Sequence, residues 1–204
     1  MLRVALTGGL ASGKSTVGRN FEQLGCLLVK LDELGHQVLM RGGDAYDAVL
    51  AEFGPGVLSM GGTIDRKALA ALVFGHPAQL EKLNRIVHPP VRRLAERILG
   101  GYQKEHPDGI AVVEAAIHIE TGGYREYHCV VLAVCTPEQQ MERAMHRDGA
   151  TREDVLARLA RQMPLEEKRK YADYVIDTSG TREAAARQTE AVYRQLLLRP
   201  ERYN

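Results

Sequence analysis

The chain has 204 residues, of which 45% are hydrophobic and 26% charged, a composition typical of a folded globular protein and not of a disordered one. Its 27 Lys and Arg residues nearly balance 26 Asp and Glu residues, so the formal net charge is +1. Nucleic-acid binding usually requires a basic excess, and bulk charge gives it no support here. The length predicts a single domain with room for a large insertion or a lid.

Five short apolar runs predict the strands of one sheet, because buried parallel strands are apolar on both faces. They span residues 2–7, 27–31, 110–114, 129–134 and 174–177. Longer segments with helical spacing alternate with these runs. The alternation indicates an α/β fold in which helices flank a mostly parallel five-stranded sheet on both faces.

Capping residues and apolar spacing predict the helices. Thr136, Thr151 and Thr181 each stand as an N-cap before a helical segment. The helix after Thr151 is expected to bury Val155, Leu156, Leu159 and Met163. The clearest apolar stripe follows i, i+3, i+4, i+7, i+8 and i+11 spacing on one helix, through Val91, Leu94, Ala95, Ile98, Leu99 and Tyr102.

Residues 32–108 contain no clear strand and are predicted to form an insertion of several short helices. Gly- and Pro-containing breaks separate these helices at 42–43, 54–56, 61–62, 76–77 and 88–90. A plain crossover between parallel strands needs far fewer residues. Insertions at the carboxyl edge of a sheet commonly build substrate sites, so we expect this one to do so.

The chain carries no pattern of secretion, membrane insertion or disulfide bonding. No apolar stretch of signal-peptide length follows the first residues, and no run approaches the length that spans a bilayer. Cys26, Cys129 and Cys135 form no C-x-x-C pair. We therefore expect a soluble, cytoplasmic protein with reduced thiols and no attachment to a membrane.

Residues 8–15 read Gly-Gly-Leu-Ala-Ser-Gly-Lys-Ser and fit the phosphate-loop pattern G-x-x-x-x-G-K-[ST] at every position. The match follows a predicted strand and opens a predicted helix, whose N-terminus attracts phosphate. Lys14 is predicted to reach the β- and γ-phosphates of the nucleotide, and the Ser15 hydroxyl to bind Mg²⁺. The predicted nucleotide contacts of the loop are Gly8, Gly9, Ala11, Ser12, Gly13, Lys14, Ser15 and Thr16.

A phosphate loop does not by itself distinguish a kinase from a GTPase or a switch. Asp32 begins a D-x-x-G run and also ends Lys30-Leu31-Asp32, two weak GTPase-like patterns that one aspartate cannot satisfy together. At the carboxyl end of the second strand, Asp32 is better suited to accept the proton of an acceptor hydroxyl. A helix N-cap is the alternative for this residue.

Arginines follow the fourth strand at helical spacing. Arg143 and Arg147 lie at i and i+4 on one helix face, which suits an anionic phosphate chain. A solvated basic face is the alternative. The next helices resemble a lid that closes over nucleotide, and they carry Arg158, Arg161 and Lys168. His88 is predicted either as a turn or cap residue or as part of the site.

The motifs and their order along the chain resemble those of the dephospho-CoA kinase family nearly from end to end. The similarity begins with Thr7, the phosphate loop and Asp32. In the insertion it includes Phe53-Gly54, Ile64-Asp65-Arg66, Leu69, Phe74 and His88-Pro89-Pro90-Val91. Further on it includes Arg143, Arg147, Arg158, Gln162, Met163-Pro164, Lys168, Ala172-Asp173 and Val175-Ile176.

The resemblance implies a P-loop NTPase three-layer fold and a transfer reaction. It implies a core of residues 1–31, 109–137 and 172–204, a substrate-binding helical insertion at about 32–108 and a helical lid at about 138–171. The implied reaction moves the ATP γ-phosphoryl group, with Mg²⁺, to the ribose 3′-hydroxyl of dephospho-CoA, the last step of coenzyme A synthesis. It implies a small-molecule substrate, dephospho-CoA, and implies no partner protein; neither nucleic acid nor a membrane is expected as a partner.

The resemblance also assigns roles to residues. Lys14, Asp32 and Arg143 are the implied catalytic residues, with Asp32 as the base. Arg143 and Arg147 are implied to face nucleotide phosphates, and Ser179 and Gly180 to lie near the adenine. The implied substrate contacts are Thr7, Asp32, His88, Ile117, Glu120 and Arg161.

Three positions depart from the family pattern. Lys30 replaces the first of two aspartates, and residues 116–120 read Ala-Ile-His-Ile-Glu where Pro-Leu-Leu-Phe-Glu is usual. Asp177 or Thr178 replaces an asparagine. His118 in the altered segment favours keeping another small-molecule kinase, for nucleosides or nucleotides, as the alternative. A non-catalytic nucleotide-binding regulatory module is the second alternative.

Overall fold

The computed structural model describes residues 1–73 and 75–199, so Phe74 of the family resemblance lies outside the described residues. The elements are β1 (Leu2–Gly8), α1 (Lys14–Gln23), β2 (Leu27–Lys30), α2 (Leu31–Val38), α3 (Tyr46–Phe53), α4 (Arg66–Val73), α5 (Pro77–Glu105), β3 (Ile110–Glu114), β4 (Cys129–Val134), α6 (Pro137–Asp148), α7 (Arg152–Leu159), α8 (Leu165–Lys168), β5 (Tyr174–Asp177) and α9 (Arg182–Leu197). Among the helices so described, none has the length and apolar character needed to cross a membrane. The chain divides into two compact units, Lys30–Gly101 and the remainder.

The five strands form one parallel sheet in the order β2-β3-β1-β4-β5. The central strand β1 pairs with β3 and β4, and Leu6 lies opposite Glu114 on one side and Val131 on the other. Every residue of β3 and β4 is buried, as central parallel strands require. The predicted α/β fold and its five strands are confirmed, with shifts of one residue where β1 and β2 end.

Two helices cover one face of the sheet. Val17 and Phe21 of α1 and Val192 and Leu196 of α9 belong to one apolar cluster with inward-facing strand residues. Phe21 is fully buried. This packing fixes the start of α1, and with it the end of the phosphate loop, against the sheet.

Threonine caps begin three of the helices, as predicted. The Thr136 and Thr151 side chains accept the backbone N–H groups of Gln139 and Asp154, which complete capping boxes at α6 and α7. Thr181 caps α9. The predicted apolar face of α7 is wrong in two places. Leu156 is 47% exposed, because α7 buries only Val155, and Met163 lies beyond the helix, which ends at Leu159.

The unit Lys30–Gly101 has a core of its own. Tyr46, Val49, Val57, Ile64 and Leu69 form a buried cluster. Three side chains of α5 pack against this cluster, namely Leu83, Ile86 and Val87. The predicted breaks at 54–56 and 76–77 are confirmed, because α3 ends at Phe53 and α5 begins with Pro77 as its first residue.

The break predicted at residues 88–90 is wrong, because α5 continues through Pro89 and Pro90. Each proline removes one backbone donor and disfavours helix. The apolar contacts on both sides compensate for this cost: the preceding turns pack on the cluster above, and Pro90, Val91, Ala95 and Leu99 are buried. His88 consequently lies inside a helix and not in a turn before one.

Burial determines the state of two of the three cysteines, all of which are free thiols. It raises the pKa of Cys26 to about 12 and that of Cys129 to about 11. Both side chains lie in the apolar cluster under α1 and α9. They are therefore protonated and weakly nucleophilic near neutral pH, as structural thiols are.

We expect the substitution Pro89→Ala to stabilise the protein, by up to about 3 kcal/mol from helix propensity. Pro89 is exposed, so alanine opens no cavity, and its N–H can donate to the Arg85 carbonyl one turn earlier. Chemical denaturation measures the change. Pro90→Ala is the matched control, because Pro90 is buried and its truncation loses packing that offsets the restored hydrogen bond. A lower stability of P89A than of the wild type would contradict this account of α5.

Candidate active site

The phosphate loop connects the end of β1 to the start of α1 and needs unusual backbone conformations to do so. Gly13 has a φ of 85°, and a Cβ atom there would lie 2.6 Å from the Thr178 Oγ1 atom. Both the positive φ and the close approach require glycine. Ala11 also has a positive φ, 53°, which L-residues adopt only when their surroundings enforce it.

Side chains from outside the loop hold the neighbouring residue, Leu10, and so enforce the conformation of Ala11. The Leu10 N–H donates to the Gln162 Oε1 atom at 2.8 Å, and the Leu10 carbonyl accepts from the Gln140 Nε2 atom at 2.8 Å. The Leu10 side chain is buried in a cluster with Ala144 and Val155. The predicted lid segment therefore contacts the loop directly at three points.

Thr178 connects the end of β5 to the loop. Its hydroxyl lies 2.9 Å from the Ser12 carbonyl oxygen and 3.0 Å from that of Val134, and shares its hydrogen between them. The Arg143 guanidinium donates to the Thr178 hydroxyl and carbonyl at 3.3 and 2.8 Å. Asp177 and Thr178 are the two residues of which one replaces the usual asparagine. Thr178 is buried and contacts the loop, whereas Asp177 is exposed.

A pocket of about 270 Å³ opens beside the loop. Six loop residues and both predicted arginines line it: Ala11, Ser12, Gly13, Lys14, Ser15, Thr16, Arg143 and Arg147. Backbone N–H groups at the start of α1 and two guanidinium groups together favour an anion with several phosphate oxygens. Eight of the residues predicted to bind nucleotide are thus brought together in one place.

Arg147 also belongs to an ion-pair cluster. Its guanidinium donates to both carboxylate oxygens of Asp148, at 2.7 and 3.1 Å, and Arg158 donates to the same carboxylate at 2.5 Å. Hydrogen bonding to Arg147 and then to Arg158 lowers the pKa of Asp148 to about 2. The same pairing raises the pKa of Arg147. Asp148 thus holds the guanidinium of a pocket-lining residue.

Glu114 is a candidate site residue that no pattern in the sequence predicted. The Ser15 hydroxyl donates to the Glu114 Oε1 atom at 2.9 Å, and the Oε2 atom is buried without a hydrogen-bond partner. A buried carboxylate oxygen of this kind fits a cation beside the serine. The available signal was an acidic residue ending a buried strand at the carboxyl edge, where α/β proteins bind ligands.

Two residues of the loop region have interior contacts. The Lys14 ammonium donates to the Gly9 carbonyl at 3.4 Å. Thr7, predicted to contact substrate, is fully buried, and its hydroxyl donates to the Ala116 carbonyl at 3.3 Å.

Lys168 is not on the surface of the predicted lid with the other cations. It is 0% exposed and forms a 2.8 Å ion pair with Glu120, a predicted substrate contact. In the altered segment, His118 is buried and its Nε2 atom lies 2.9 Å from the Val113 carbonyl oxygen. His118 therefore faces the interior, while Ile117 is 40% exposed.

The other predicted residues of this unit lie at the surface or near it. Gln139 of α6 donates to the Ser179 carbonyl at 2.7 Å, which fixes the segment entering Gly180. Gly180 is exposed, and so is Arg161, which follows the end of α7.

Asp32 and His88 belong to the unit Lys30–Gly101. Asp32 is the second residue of α2 and is exposed. The N-cap alternative for Asp32 is wrong, because Lys30 occupies the N-cap position and pairs with Glu33 at 2.9 Å. Desolvation lowers the pKa of His88, and the charge of Arg92 one turn further on lowers it again.

The sequence model that describes dephospho-CoA kinases matches residues 2–183. The chain belongs to the dephospho-CoA kinase family. A dephospho-CoA kinase of Aquifex aeolicus (strain VF5) is 38% identical over 200 residues, which cover 98% of this chain and 100% of the relative. One from Geobacter sulfurreducens is 40% identical over 190 residues, covering 93% and 96%. The solved structure of dephospho-CoA kinase from Campylobacter jejuni is 25% identical with a TM-score of 0.70, covering 96% and 97%.

Membership of the dephospho-CoA kinase family confirms the predicted resemblance, the P-loop kinase fold and the enzyme class. The chain is an ATP-dependent kinase and therefore a transferase. The match runs through both compact units, so the insertion and the predicted lid fall within it.

We expect Lys14→Ala to reduce phosphoryl transfer by at least about 100-fold, because it removes a positive charge from the phosphate pocket. Steady-state kinetics with ATP measure the loss, and circular dichroism checks the fold. Lys170→Ala is the matched control, since Lys170 forms an exposed ion pair with Glu167. Near-normal turnover of K14A would contradict the assignment of the pocket.

We expect Asp148→Asn to lower the thermal midpoint at neutral pH and to lower it progressively less as the pH falls from about 4 to 2.5. The pKa of Asp148 is held at about 2, below its unfolded value of about 3.9. A depressed pKa stabilises the folded state above the unfolded pKa, and the stabilisation disappears as the pH falls through that range. Thermal unfolding of both proteins from pH 6 to pH 2.5 measures the difference. A difference that stays constant with pH would contradict the ion-pair assignment.

Proposed function

We propose that the chain transfers the γ-phosphoryl group of ATP to the ribose 3′-hydroxyl of dephospho-CoA, and that it requires Mg²⁺. The observation that carries the proposal is a family match over residues 2–183 of a chain whose phosphate loop and two arginines line one pocket. The buried position of His118 removes the one residue that favoured a different acceptor.

The pocket is proposed to hold the triphosphate of ATP. The loop N–H groups and Lys14 bind the β- and γ-phosphates, and Arg143 and Arg147 bind further phosphate oxygens. Charge on the transferring group spreads over its oxygens, so fixed donors around it stabilise the transition state. Ser179 and Gly180 are proposed to lie near the adenine.

Ser15 and Glu114 are proposed to hold Mg²⁺. Magnesium is usually bound in proteins through one or two side chains together with substrate phosphates and water. The Ser15 hydroxyl and the unpartnered Oε2 atom of Glu114 supply such oxygens. They lie close together, because the Ser15 hydroxyl donates to the other oxygen of the same carboxylate, Oε1. When bound, Mg²⁺ neutralises charge on the β- and γ-phosphates.

Asp32 is proposed as the base. It follows β2, the neighbour of the strand that ends with Glu114, and carboxyl ends of parallel strands share one edge of a sheet. The acceptor oxygen bonds to the γ-phosphorus while the bond from that phosphorus to the β–γ bridging oxygen breaks. ADP leaves with the electron pair, and the hydroxyl proton passes to the Asp32 carboxylate.

The acceptor is proposed to contact most of the residues that the resemblance assigned to it. Those at or near the surface are Asp32, His88, Ile117, Glu120 and Arg161. The sixth, Thr7, is fully buried, so it is proposed to position the Ala116 carbonyl and not to touch the acceptor. The lowered pKa of His88 keeps its ring neutral near pH 7, so it would bind as a hydrogen-bonding group and not as a cation.

The test is ADP production from Mg²⁺-ATP with dephospho-CoA, compared with adenosine, pantetheine, nucleosides and nucleoside monophosphates. We expect turnover that depends on dephospho-CoA. Turnover with another acceptor and not with dephospho-CoA would support a kinase activity but contradict the proposed substrate. ATP binding without turnover on any acceptor would favour a regulatory module.

We expect Asp32→Asn to lower kcat by at least about 100-fold and to change ATP affinity little, because its role concerns the acceptor proton. Glu33→Gln is the matched control, since Glu33 is the exposed neighbour that pairs with Lys30. Single-turnover kinetics and calorimetric ATP binding separate the two effects. A loss of ATP affinity with normal transfer in the bound complex would contradict the assignment of the base.

A further inference from the structure

Lys168 is a fully buried cation that the proposed reaction does not use. Its side chain is 0% exposed, whereas lysine is almost never buried unless it is paired. The Nζ atom lies 2.8 Å from Glu120 Oε1, 2.8 Å from the Ala116 carbonyl oxygen and 3.3 Å from the Gly8 carbonyl oxygen. Its three N–H groups therefore have three acceptors.

Two of those acceptors belong to the segments that build the phosphate site. Gly8 ends β1 and opens the phosphate loop. Ala116 comes two residues after Glu114, which accepts the Ser15 hydroxyl. Lys168 therefore joins the start of the loop to the segment that carries the carboxylate beside the serine.

The third acceptor ties the same cation to the predicted lid. The Glu120 Oε1 atom also accepts the Met163 N–H at 3.1 Å. The residue before Met163 is Gln162, whose side chain holds the Leu10 N–H. The stretch from Gln162 to Lys168 thus contacts the loop at Leu10 and again at Gly8.

Stability alone does not require an ion pair at this position. A buried pair pays a large desolvation cost, and its replacement by neutral groups of similar volume is often neutral or stabilising. Neutral groups that lack an ammonium cannot donate to the Gly8 and Ala116 carbonyls.

We propose that Lys168, held by Glu120, is a positioning residue for phosphoryl transfer: it fixes the start of the phosphate loop relative to the Ser15–Glu114 contact. A displacement of about 1 Å in a reacting geometry can cost about 100-fold in rate. Affinity for the nucleotide also draws on the arginines and the adenine contacts, so it depends less on this position. The inference rests on the proposed function only for its kinetic readout.

The test uses the double variant Lys168→Met and Glu120→Gln, which leaves no unpaired buried charge and keeps an acceptor for the Met163 N–H. We expect kcat to fall by about 100-fold, MgATP affinity to change by less than about fivefold and the protein to remain folded with a modestly lower thermal midpoint, because the Gly8 carbonyl loses its donor. Hydrogen exchange of residues 8–16 should become faster. The matched control is Lys170→Met with Glu167→Gln, an exposed lysine–glutamate pair nearby, which should change none of these quantities.

Each outcome decides the matter. A folded double variant with wild-type kcat, or with unchanged exchange in residues 8–16, would overturn the proposal. A double variant that does not fold would show that the pair serves stability, which also overturns it. The single variant Lys168→Met, which keeps the part-exposed Glu120 and its proposed acceptor contact, should show the same fall in kcat and the same faster exchange, because the hydrogen bonds to Gly8 and Ala116 belong to Lys168. Absence of transfer to dephospho-CoA by the wild type would instead refute the proposed function, while the exchange measurement would still test Lys168.

Discussion

A phosphate loop must turn its N–H groups toward an anion, and its carbonyl oxygens then turn into the protein and need donors of their own. In this chain every carbonyl from Gly8 to Gly13 has one. The donors, in order, are the side chains of Lys168, Lys14, Gln140, Cys135 and Thr178, and for Gly13 the backbone N–H groups of Thr16 and Val17. Unsatisfied buried carbonyls are costly, so this set of donors determines the shape of the loop.

The donors come from widely separated parts of the sequence. Lys14 and the two backbone N–H groups belong to α1, and the other donors are contributed by α6, by the last residue of α8 and by the segments that follow β4 and β5. Residues of those same regions line the pocket or hold the residues that do, as Thr178 does for Arg143. The shape of the phosphate loop therefore depends on how the predicted lid segment packs on Leu10. This coupling allows a side chain that contacts no substrate to affect transfer.

Local patterns in the sequence predicted the elements that depend on local physics. Strands showed as apolar runs, and the N-caps at Thr136, Thr151 and Thr181 showed as residue types at fixed offsets. The turn from β1 to α1 was predicted from residues 8–15, because its conformation needs glycine, and the roles of Lys14 and Ser15 in it stay a prediction. The continuous α5 was not predicted, because tertiary packing outweighed the local preference of Pro89 and Pro90. Neither Glu114 nor the burial of Lys168 was predicted, since their partners lie far away along the chain.

Phosphorus NMR of the products from Mg²⁺-ATP and dephospho-CoA tests the central claim most directly. Transfer to the ribose predicts one new 3′-phosphomonoester signal on the acceptor, formed in equal amount with ADP and absent without the enzyme. Formation of ADP and inorganic phosphate with no new phosphomonoester would show hydrolysis in place of transfer. That result would contradict the assignment of this chain as a kinase acting on dephospho-CoA.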